Sequence, residues 1–303
     1  MAGVITTGAH PKALWPGINE WFGRVYDEHA TEFTDLFEMD SSGQSYEEDV
    51  LVTGFGLAPV KPEGASVSYD SESQGYTKRY THVAYALGFI VTFEELRDNL
   101  YEKVGKRRGQ ALAFSMRQTK ENVGANVYNR GFNSAYVGGD GVELLSTAHP
   151  TKSGTFSNEL AVAADMSEAS VEDLVIQIMG ATNDRGLKIS LMPECLVVPR
   201  QLHFEANRIY GSVLQNDTAN NAINVLKSTG TFPKGIKTNH YLSDSDAWFI
   251  RTNCPRGMIC FDRDILPLEQ DNDFDTKNAK AKKYERYSFG WTDPRGLYGS
   301  AGA

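Results

Sequence analysis

The chain has 303 residues, of which 41% are hydrophobic and 23% are charged, and these proportions indicate a folded protein with a core. No run of about 18 apolar residues occurs, so the sequence excludes a membrane-spanning helix. The N-terminus also lacks the basic and apolar regions of a secretory signal. The three cysteines (Cys195, Cys254 and Cys260) are scattered and form no CxxC pair, which excludes a disulfide scaffold and a zinc ribbon.

The net charge of −9 is concentrated in one segment. Nine carboxylates and no Lys or Arg lie between Asp27 and Asp49: Asp27, Glu28, Glu32, Asp35, Glu38, Asp40, Glu47, Glu48 and Asp49. Basic residues form two later runs: Lys103, Lys106, Arg107 and Arg108, then Lys277, Lys280, Lys282, Lys283 and Arg286. An acidic chain is poorly suited to gripping nucleic acid phosphates. The runs are either solvated faces or surfaces through which copies of the chain meet, acidic segment against basic segment.

Residues 1–50 form an irregular segment rich in aromatic residues. Its rings are Trp15, Trp21, Phe22, Tyr26, Phe33 and Phe37. Two pairs of them are spaced i, i+4, as on one face of a helix. Because the segment has no core of its own, we predict an arm that packs on another surface.

Residues 50–91 have the composition of β-structure. Short apolar runs lie on both sides of a polar segment, DSESQG, and the second run is rich in Tyr, Thr, Val and Ile. This pattern predicts a long hairpin whose outer part, Glu63 to Arg79, is too polar to bury. An exposed hairpin is marginally stable alone, so we expect it to lie across a neighbouring copy. The candidate interface residues are Lys61, Glu63, Asp70, Glu72, Lys78 and Arg79.

A long helix is predicted from Thr92 to about Tyr128. Thr92 and Glu95 have the spacing of a capping box, and apolar residues recur at helical intervals after them. A helix of about 36 residues is about 54 Å long, which favours an elongated molecule. Gly105 and Gly109 favour a break, because each costs about 1 kcal/mol relative to Ala in a helix.

The rest of the chain alternates helices and strands. A Gly/Ser/Thr-rich segment at 131–165 is the best domain boundary. After it we predict a helix opening at Ser170, an apolar strand framed by Pro193 and Pro199, and a helix at 200–211. The remaining predicted elements are strands at 236–242, 246–252 and 257–262, a basic strand at 280–291, and a tail ordered only in part from Asp293.

This order of elements resembles the major capsid protein of tailed phages, which has the Hong Kong phage fold also used by encapsulin shells. Within that class it is most similar to the Mu-like major head subunit family. The resemblance is carried by three stretches: a strand entering the capped helix at 80–101, the block around the proline-framed strand at 187–209, and YSFGWTDPRGLYG at 287–299. It covers nearly the whole chain and implies an α+β fold.

The resemblance also implies a division of the chain. Residues 1–49 would be the N-arm, 50–91 the E-loop hairpin, and 92–154 the peripheral (P) domain with its spine helix. Residues 155–265 would be the axial (A) domain, and 266–303 a returning P-domain strand followed by the tail. No cross-linking position of the family can be matched to a lysine of the hairpin.

Members of that family assemble as hexamers and pentamers into an icosahedral shell around double-stranded DNA. The resemblance therefore implies a structural virion protein, assembled in the bacterial host cytoplasm, with no cofactor, catalytic activity, sequence-specific DNA binding or membrane partner. Its partners would be further copies of itself, a portal and a decoration protein. Since the arm starts at Met1 without a long coiled-coil leader, we also expect a separate scaffolding protein.

Two alternative functions stay open from the sequence: an encapsulin-type compartment that stores an enzyme, and a hydrolase whose site is assembled in space. The Gly54–Pro59 stretch lacks the third glycine of a dinucleotide loop. Asp271, Asp273 and Asp275 lack the later Gly and Glu of an EF-hand, so a solvated turn is the better interpretation. The histidines form no HExxH motif, but a cysteine–histidine nucleophile assembled in space stays open.

Overall fold

A five-stranded sheet, a four-stranded sheet and one long helix organise the chain. The computed structural model describes residues 30–94, 101–214 and 223–303, with the side chains of 101–106 left out. The helices are α1 (Phe33–Leu36), α2 (Tyr101–Asn129), α3 (Glu168–Met179), α4 (His203–Gly211) and α5 (Val225–Ser228), with 3-10 turns at Arg200–Leu202 and Pro294–Gly296. The strands are β1 (Glu38–Ser41), β2 (Tyr46–Val52), β3 (Gln74–Thr81), β4 (Val83–Val91), β5 (His149–Thr151), β6 (Gly154–Phe156), β7 (Pro193–Pro199), β8 (Ile236–Asn239), β9 (Trp248–Thr252), β10 (Met258–Ile265), β11 (Glu269–Asn272), β12 (Ala279–Trp291) and β13 (Leu297–Ser300).

The five-stranded sheet is built around β12, the basic strand predicted from the sequence. Its order is β1-β10-β12-β11, and β4 pairs with the other edge of β12. β12 is antiparallel to β4, β10 and β11, whereas β1 and β10 are parallel. Burial along β12 largely alternates, so its apolar residues face α2 while lysines at alternate positions reach solvent.

Helix α2 confirms the predicted spine helix and is about 43 Å long from its 29 residues. Leu112, Ala113 and Met116 are buried in one cluster with residues of β4 and β12. The break expected at Gly105 and Gly109 is absent, because the helix continues through both. Glu95, the second residue of the predicted capping box, lies outside the described residues.

The four-stranded sheet has the order β13-β9-β7-β8, and α3 and α4 contribute to its apolar core. The proline-framed strand is confirmed as β7, and the helix after it as the 3-10 turn and α4. Helix α3 begins earlier than predicted, since Ser167 is its N-cap and Ser170 is the third residue of a reciprocal capping box.

The expectation of a partly ordered tail is wrong. Asp293 caps the 3-10 turn through its side chain, and β13 then pairs antiparallel with β9. All four residues of β13 are buried. The tail is ordered because its backbone completes the four-stranded sheet and its apolar side chains enter the cores on both faces.

The predicted hairpin is placed differently from the expectation. Strand β2 starts at Tyr46 and pairs with β3, so that Val52 faces Gln74 and residues 53–73 form the connecting loop. No strand forms around Val67–Tyr69 within that loop. Strand β4 pairs with β12 and belongs to the five-stranded sheet. Within the described ranges, no helix combines the length and apolarity needed to cross a bilayer.

Candidate assembly surface

The loop at residues 53–73 is the most exposed part of the described chain, with every residue from 55 to 72 accessible to solvent. The loop also carries large apolar side chains, which the expectation of a polar hairpin did not include. Val60 is 94% exposed and Tyr69 is 95% exposed, and Phe55, Leu57 and Val67 are also exposed. Large apolar side chains gathered on one exposed segment are typical of a contact surface. Lys61, Glu63 and Glu72 are exposed among them, as predicted interface residues must be.

A charged clasp holds the end of this loop to the body of the same chain. Arg185 Nη1 donates to Asp70 Oδ2 at 2.5 Å, and Arg185 Nη2 donates to the carbonyl of Ser71. Lys152 donates to the hydroxyl of Ser73. Asp70 also accepts the backbone N–H of Gly56 at 2.8 Å, which closes the loop on itself. Asp70 therefore has a partner within its own subunit, which sequence analysis did not foresee.

The environment of Asp70 favours its charged form. The backbone N–H of Gly56 and the guanidinium of Arg185 lower the pKa of Asp70 to about 2. Because this carboxylate is exposed, the pair contributes little to stability. The ion pair instead fixes the position of the end of the loop relative to the rest of the subunit.

The base of the hairpin is attached to the end of β12. The Tyr76 hydroxyl donates to the carbonyl of Thr292 at 3.1 Å, and the Thr292 hydroxyl donates to Asp49 at 2.8 Å. Arg79 pairs with Glu48 across the two strands at 2.6 Å. Lys78 is partly buried and lies 4.7 Å from the centroid of the Trp291 ring. These two predicted interface residues therefore belong to the base of the hairpin rather than to its exposed loop.

Buried His82 marks the change from hairpin to sheet. Its two ring nitrogens lie 3.1 Å from the Ser288 hydroxyl and 3.0 Å from the Ser42 hydroxyl. The residue is in neither β3 nor β4, so it separates the two-stranded hairpin from the five-stranded sheet. Because Ser288 and Ser42 hold the His82 ring between them, the continuous β-rich sequence divides here into strands of two different sheets.

Carboxylates of the acidic stretch have partners within the chain. Glu32 accepts from the His240 ring at 2.6 Å, and Asp35 accepts from Lys237 at 2.8 Å. Asp49 pairs with Arg256 at 2.6 Å. These partners come from the four-stranded sheet and the loops at its ends, so the stretch joins the two sheets. Asp27 and Glu28 lie outside the described residues.

The two basic runs differ in their surroundings. Arg107 is exposed and Arg108 is partly exposed on α2, whereas the side chains of Lys103 and Lys106 lie outside the described part. In the second run, Lys280 pairs with Asp273 and Lys282 with Glu269. The second run is thus balanced by its own neighbours, and pairing of the first run with another copy stays a prediction.

The cysteines lack the surroundings of a reactive thiol. Burial raises the pKa of Cys195 to about 11 and also raises the pKa of Cys254 and Cys260. A thiol held in its neutral form is a weak nucleophile. Among the described residues, no group of three His, Cys, Asp or Glu side chains could hold a metal ion.

One buried polar cluster escaped sequence analysis. His149 is fully buried, with Nδ1 at 2.7 Å from Asp140 and Nε2 at 3.0 Å from the Asn158 side-chain oxygen. The Asn158 amide nitrogen donates to three carbonyls, including those of Pro294 and Leu297. The cluster connects the Gly/Ser/Thr-rich segment at 131–165 to the C-terminal tail. Asp140, His149 and Asn158 follow one another at intervals of nine residues, whereas the carbonyls of Pro294 and Leu297 lie more than 130 residues further on, so no local pattern identifies the cluster.

Comparison with known proteins shows the family to which the chain belongs. The model of a family described as "Phage capsid protein" matches residues 75–300, which is most of the chain. The chain belongs to this phage capsid protein family and is a structural protein of the capsid shell. No curated protein matches the chain.

Solved structures similar to this chain include capsids and a virus-like particle. The capsid of an empty GTA particle has a TM-score of 0.56 and 12% identity, covering 100% of this chain and 93% of that chain. The capsid of Myoviridae phage XM1 has a TM-score of 0.50 and 12% identity, covering 100% of both chains. A virus-like particle from Pyrococcus furiosus has a TM-score of 0.53 and 11% identity, covering 95% of this chain and 99% of that chain. The tailed-phage capsid fold predicted from the sequence is confirmed, while the Mu-like subfamily stays a prediction.

Proposed function

We propose that the chain assembles as hexamers and pentamers into an icosahedral shell that encloses phage double-stranded DNA. The observation that carries this proposal is the exposed apolar loop at 53–73, held at a defined position by its clasp. In a single subunit these side chains gain nothing from exposure to water. Repeated burial of such loops on neighbouring copies would supply the hydrophobic free energy of a closed shell.

The charge of the chain agrees with a container for DNA. A net charge of −9 gives the shell wall little affinity for phosphate, so packaged DNA can move during packaging and release. In this proposal a scaffolding protein, a portal and a decoration protein assist assembly, which takes place in the host cytoplasm. The subunit itself contributes geometry and contact surface.

A second candidate is a compartment shell that encloses protein, of the encapsulin type. The likeness to the Pyrococcus furiosus virus-like particle favours it, because that chain is covered almost completely. Both candidates use the same subunit fold and predict closed shells. They differ in what the shell contains and in how the other assembly partners act.

Electron microscopy of particles from the native source separates the two candidates. The phage proposal predicts particles with one portal vertex that contain nuclease-protected DNA. The absorbance ratio at 260 and 280 nm, measured after nuclease treatment, reports the contents independently. Particles filled with a protein cargo, with twelve equivalent vertices and no protected DNA, would contradict the phage proposal.

A further inference from the structure

Strand β4 forms a free edge of the five-stranded sheet. It is antiparallel to β12 along its whole length, from Val83 opposite Tyr287 to Val91 opposite Ala279, without a register shift. Alternate residues of such a strand direct their N–H and C=O groups to the side away from the partner strand. Within the described ranges, no strand and no backbone hydrogen bond reaches that outer side of β4. Gly88, which has no side chain, is exposed, so the backbone itself is open to solvent there.

The edge lacks the features by which proteins protect exposed strands. Its sequence, VAYALGFIV, has nine residues and contains no charged residue and no proline. The other edge strands of the two larger sheets have four residues each, and three of them carry charge: β1 (EMDS), β8 (IKTN) and β11 (EQDN). The fourth, β13, is buried. A long uncharged edge is a template for another strand, so β4 is the described edge best able to accept one.

The order of side chains along β4 is complementary to itself. Antiparallel pairing of two copies about an axis at Leu87 places Leu87 opposite itself and Tyr85 opposite Phe89 of the other copy. Val83 then lies opposite Val91. These residues share the face directed toward α2, where Val91 is buried and Tyr85 and Phe89 pack against the same cluster. Aromatic and aliphatic pairs of this kind stabilise neighbouring strands, and no like charges meet.

The opposite face of β4 fits a second copy as well. The same axis places Ala84 opposite Ile90 of the other copy and Ala86 opposite Gly88, so each pair combines side chains of a size that two strands can accommodate. Ile90 is 59% exposed in the single subunit. Pairing removes its apolar surface from water, which stabilises the paired state.

We propose that β4 is an interface between two copies of this chain, paired antiparallel about Leu87, so that two five-stranded sheets join into one of ten strands. Each copy contributes the same edge, so the contact is satisfied by two copies. This interface is separate from the loop at 53–73 and goes beyond the proposed function. It depends neither on the formation of closed shells nor on what a shell contains.

Cross-linking of the full-length chain through single introduced cysteines tests the pairing. Leu87→Cys places two thiols opposite each other, about 5 Å apart at Cβ. A short bismaleimide joins them because each thiol adds across one maleimide double bond, and we expect a covalent dimer on a denaturing gel. The matched control Val83→Cys is exposed on the same face of the same strand but lies opposite Val91, so it should stay monomeric. The unmodified chain gives the background from its own cysteines.

The result that would overturn the interface is equally specific. Equal dimer yields from Leu87→Cys and Val83→Cys would show that the contact is random. Absence of the Leu87→Cys dimer, both from the dilute subunit and from assembled particles, would show that the edge does not pair with a second copy and would leave it to a strand of another protein.

A charge exchange at Ala84 and Ile90 tests the register independently. The variant Ala84→Lys with Ile90→Lys places like charges opposite each other, and so does Ala84→Glu with Ile90→Glu. Each variant alone should dimerise about tenfold more weakly than the unmodified chain in sedimentation equilibrium, whereas an equimolar mixture should recover the dimer. The control Val162→Lys with Phe274→Lys adds the same charge elsewhere and should change nothing, and thermal unfolding checks that each variant is folded. A mixture as weak as its components would contradict the register, and unchanged dimerisation of both variants would contradict the interface.

Discussion

At the scale of single residues, the clasp between Asp70 and Arg185 makes a prediction about pH. The folded pKa of Asp70, about 2, lies below its ordinary value of 3.8. The carboxylate is therefore fully charged in the clasp above about pH 4, and the interaction is lost as pH falls toward 2. We expect a titration of the Asp70 carboxyl, followed by NMR, to have its midpoint near 2.

The variant Arg185→Gln isolates the contribution of the guanidinium. The midpoint should rise but stay below the ordinary value, because the N–H of Gly56 still donates to Asp70. The control Lys188→Gln lies in the same loop, donates to Gly180 instead, and should leave the midpoint unchanged. An ordinary Asp70 midpoint in the unmodified chain would show that the clasp does not form.

Gly124 shows how one missing side chain allows two elements to approach. A Cβ at this position would lie 3.3 Å from both the Phe289 ring and the Cβ of Phe33, so α1 and β12 press against the spine helix there. We expect Gly124→Leu to cost about 1–3 kcal/mol of unfolding free energy through overpacking, measured by denaturant titration. Gly211→Ala, where no atom lies within 4 Å, should be nearly neutral. Equal stability of both variants would contradict this packing.

At the scale of elements, the sequence predicted those helices and strands that are determined by residues close together in the chain. The prolines that frame β7, the helical periodicity of α2 and the β-prone residues of β12 each act within a short stretch, so these elements were predictable. The register of β2 against β3 was not, because it depends on the attachment of Tyr76 and Asp49 to Thr292. Order in the tail likewise depends on β9, about fifty residues earlier in the chain.

The candidate assembly surface was also predictable only in part. The sequence identified the hairpin as the segment least able to bury itself, and its loop is indeed exposed. The apolar character of the loop was missed because Leu57, Val60 and Tyr69 are separated by Gly, Pro and charged residues. The clasp was not predictable either, since Arg185 is 115 residues from Asp70 and no pattern links them.

At the scale of the whole molecule, the basic run on α2 predicts salt-sensitive assembly. Exposed pairs contribute only about 0–1 kcal/mol each, but a shell repeats them in every subunit. They are screened over about 10 Å at 0.1 M salt, so particles should loosen as salt rises. We expect replacement of Lys103, Lys106, Arg107 and Arg108 by Gln to weaken assembly more than folding.

Sedimentation velocity and thermal unfolding measure those two effects separately. A matched control removes four exposed cations from around the four-stranded sheet: Lys188, Lys227, Lys234 and Arg200. Assembly that is independent of salt, with an unchanged particle yield from the α2 variant, would identify that run as a solvated face.

We propose that the loop at 53–73 builds the shell through contacts between copies. The most direct test is particle formation by the triple variant Leu57→Ser, Val60→Ser and Tyr69→Ser, imaged by electron microscopy. The control changes two other exposed apolar residues, Val162→Ser and Phe274→Ser. We expect the loop variant to unfold at the same temperature as the unmodified chain yet to form no closed particles, while the control assembles. Closed particles at normal yield from the loop variant would contradict it.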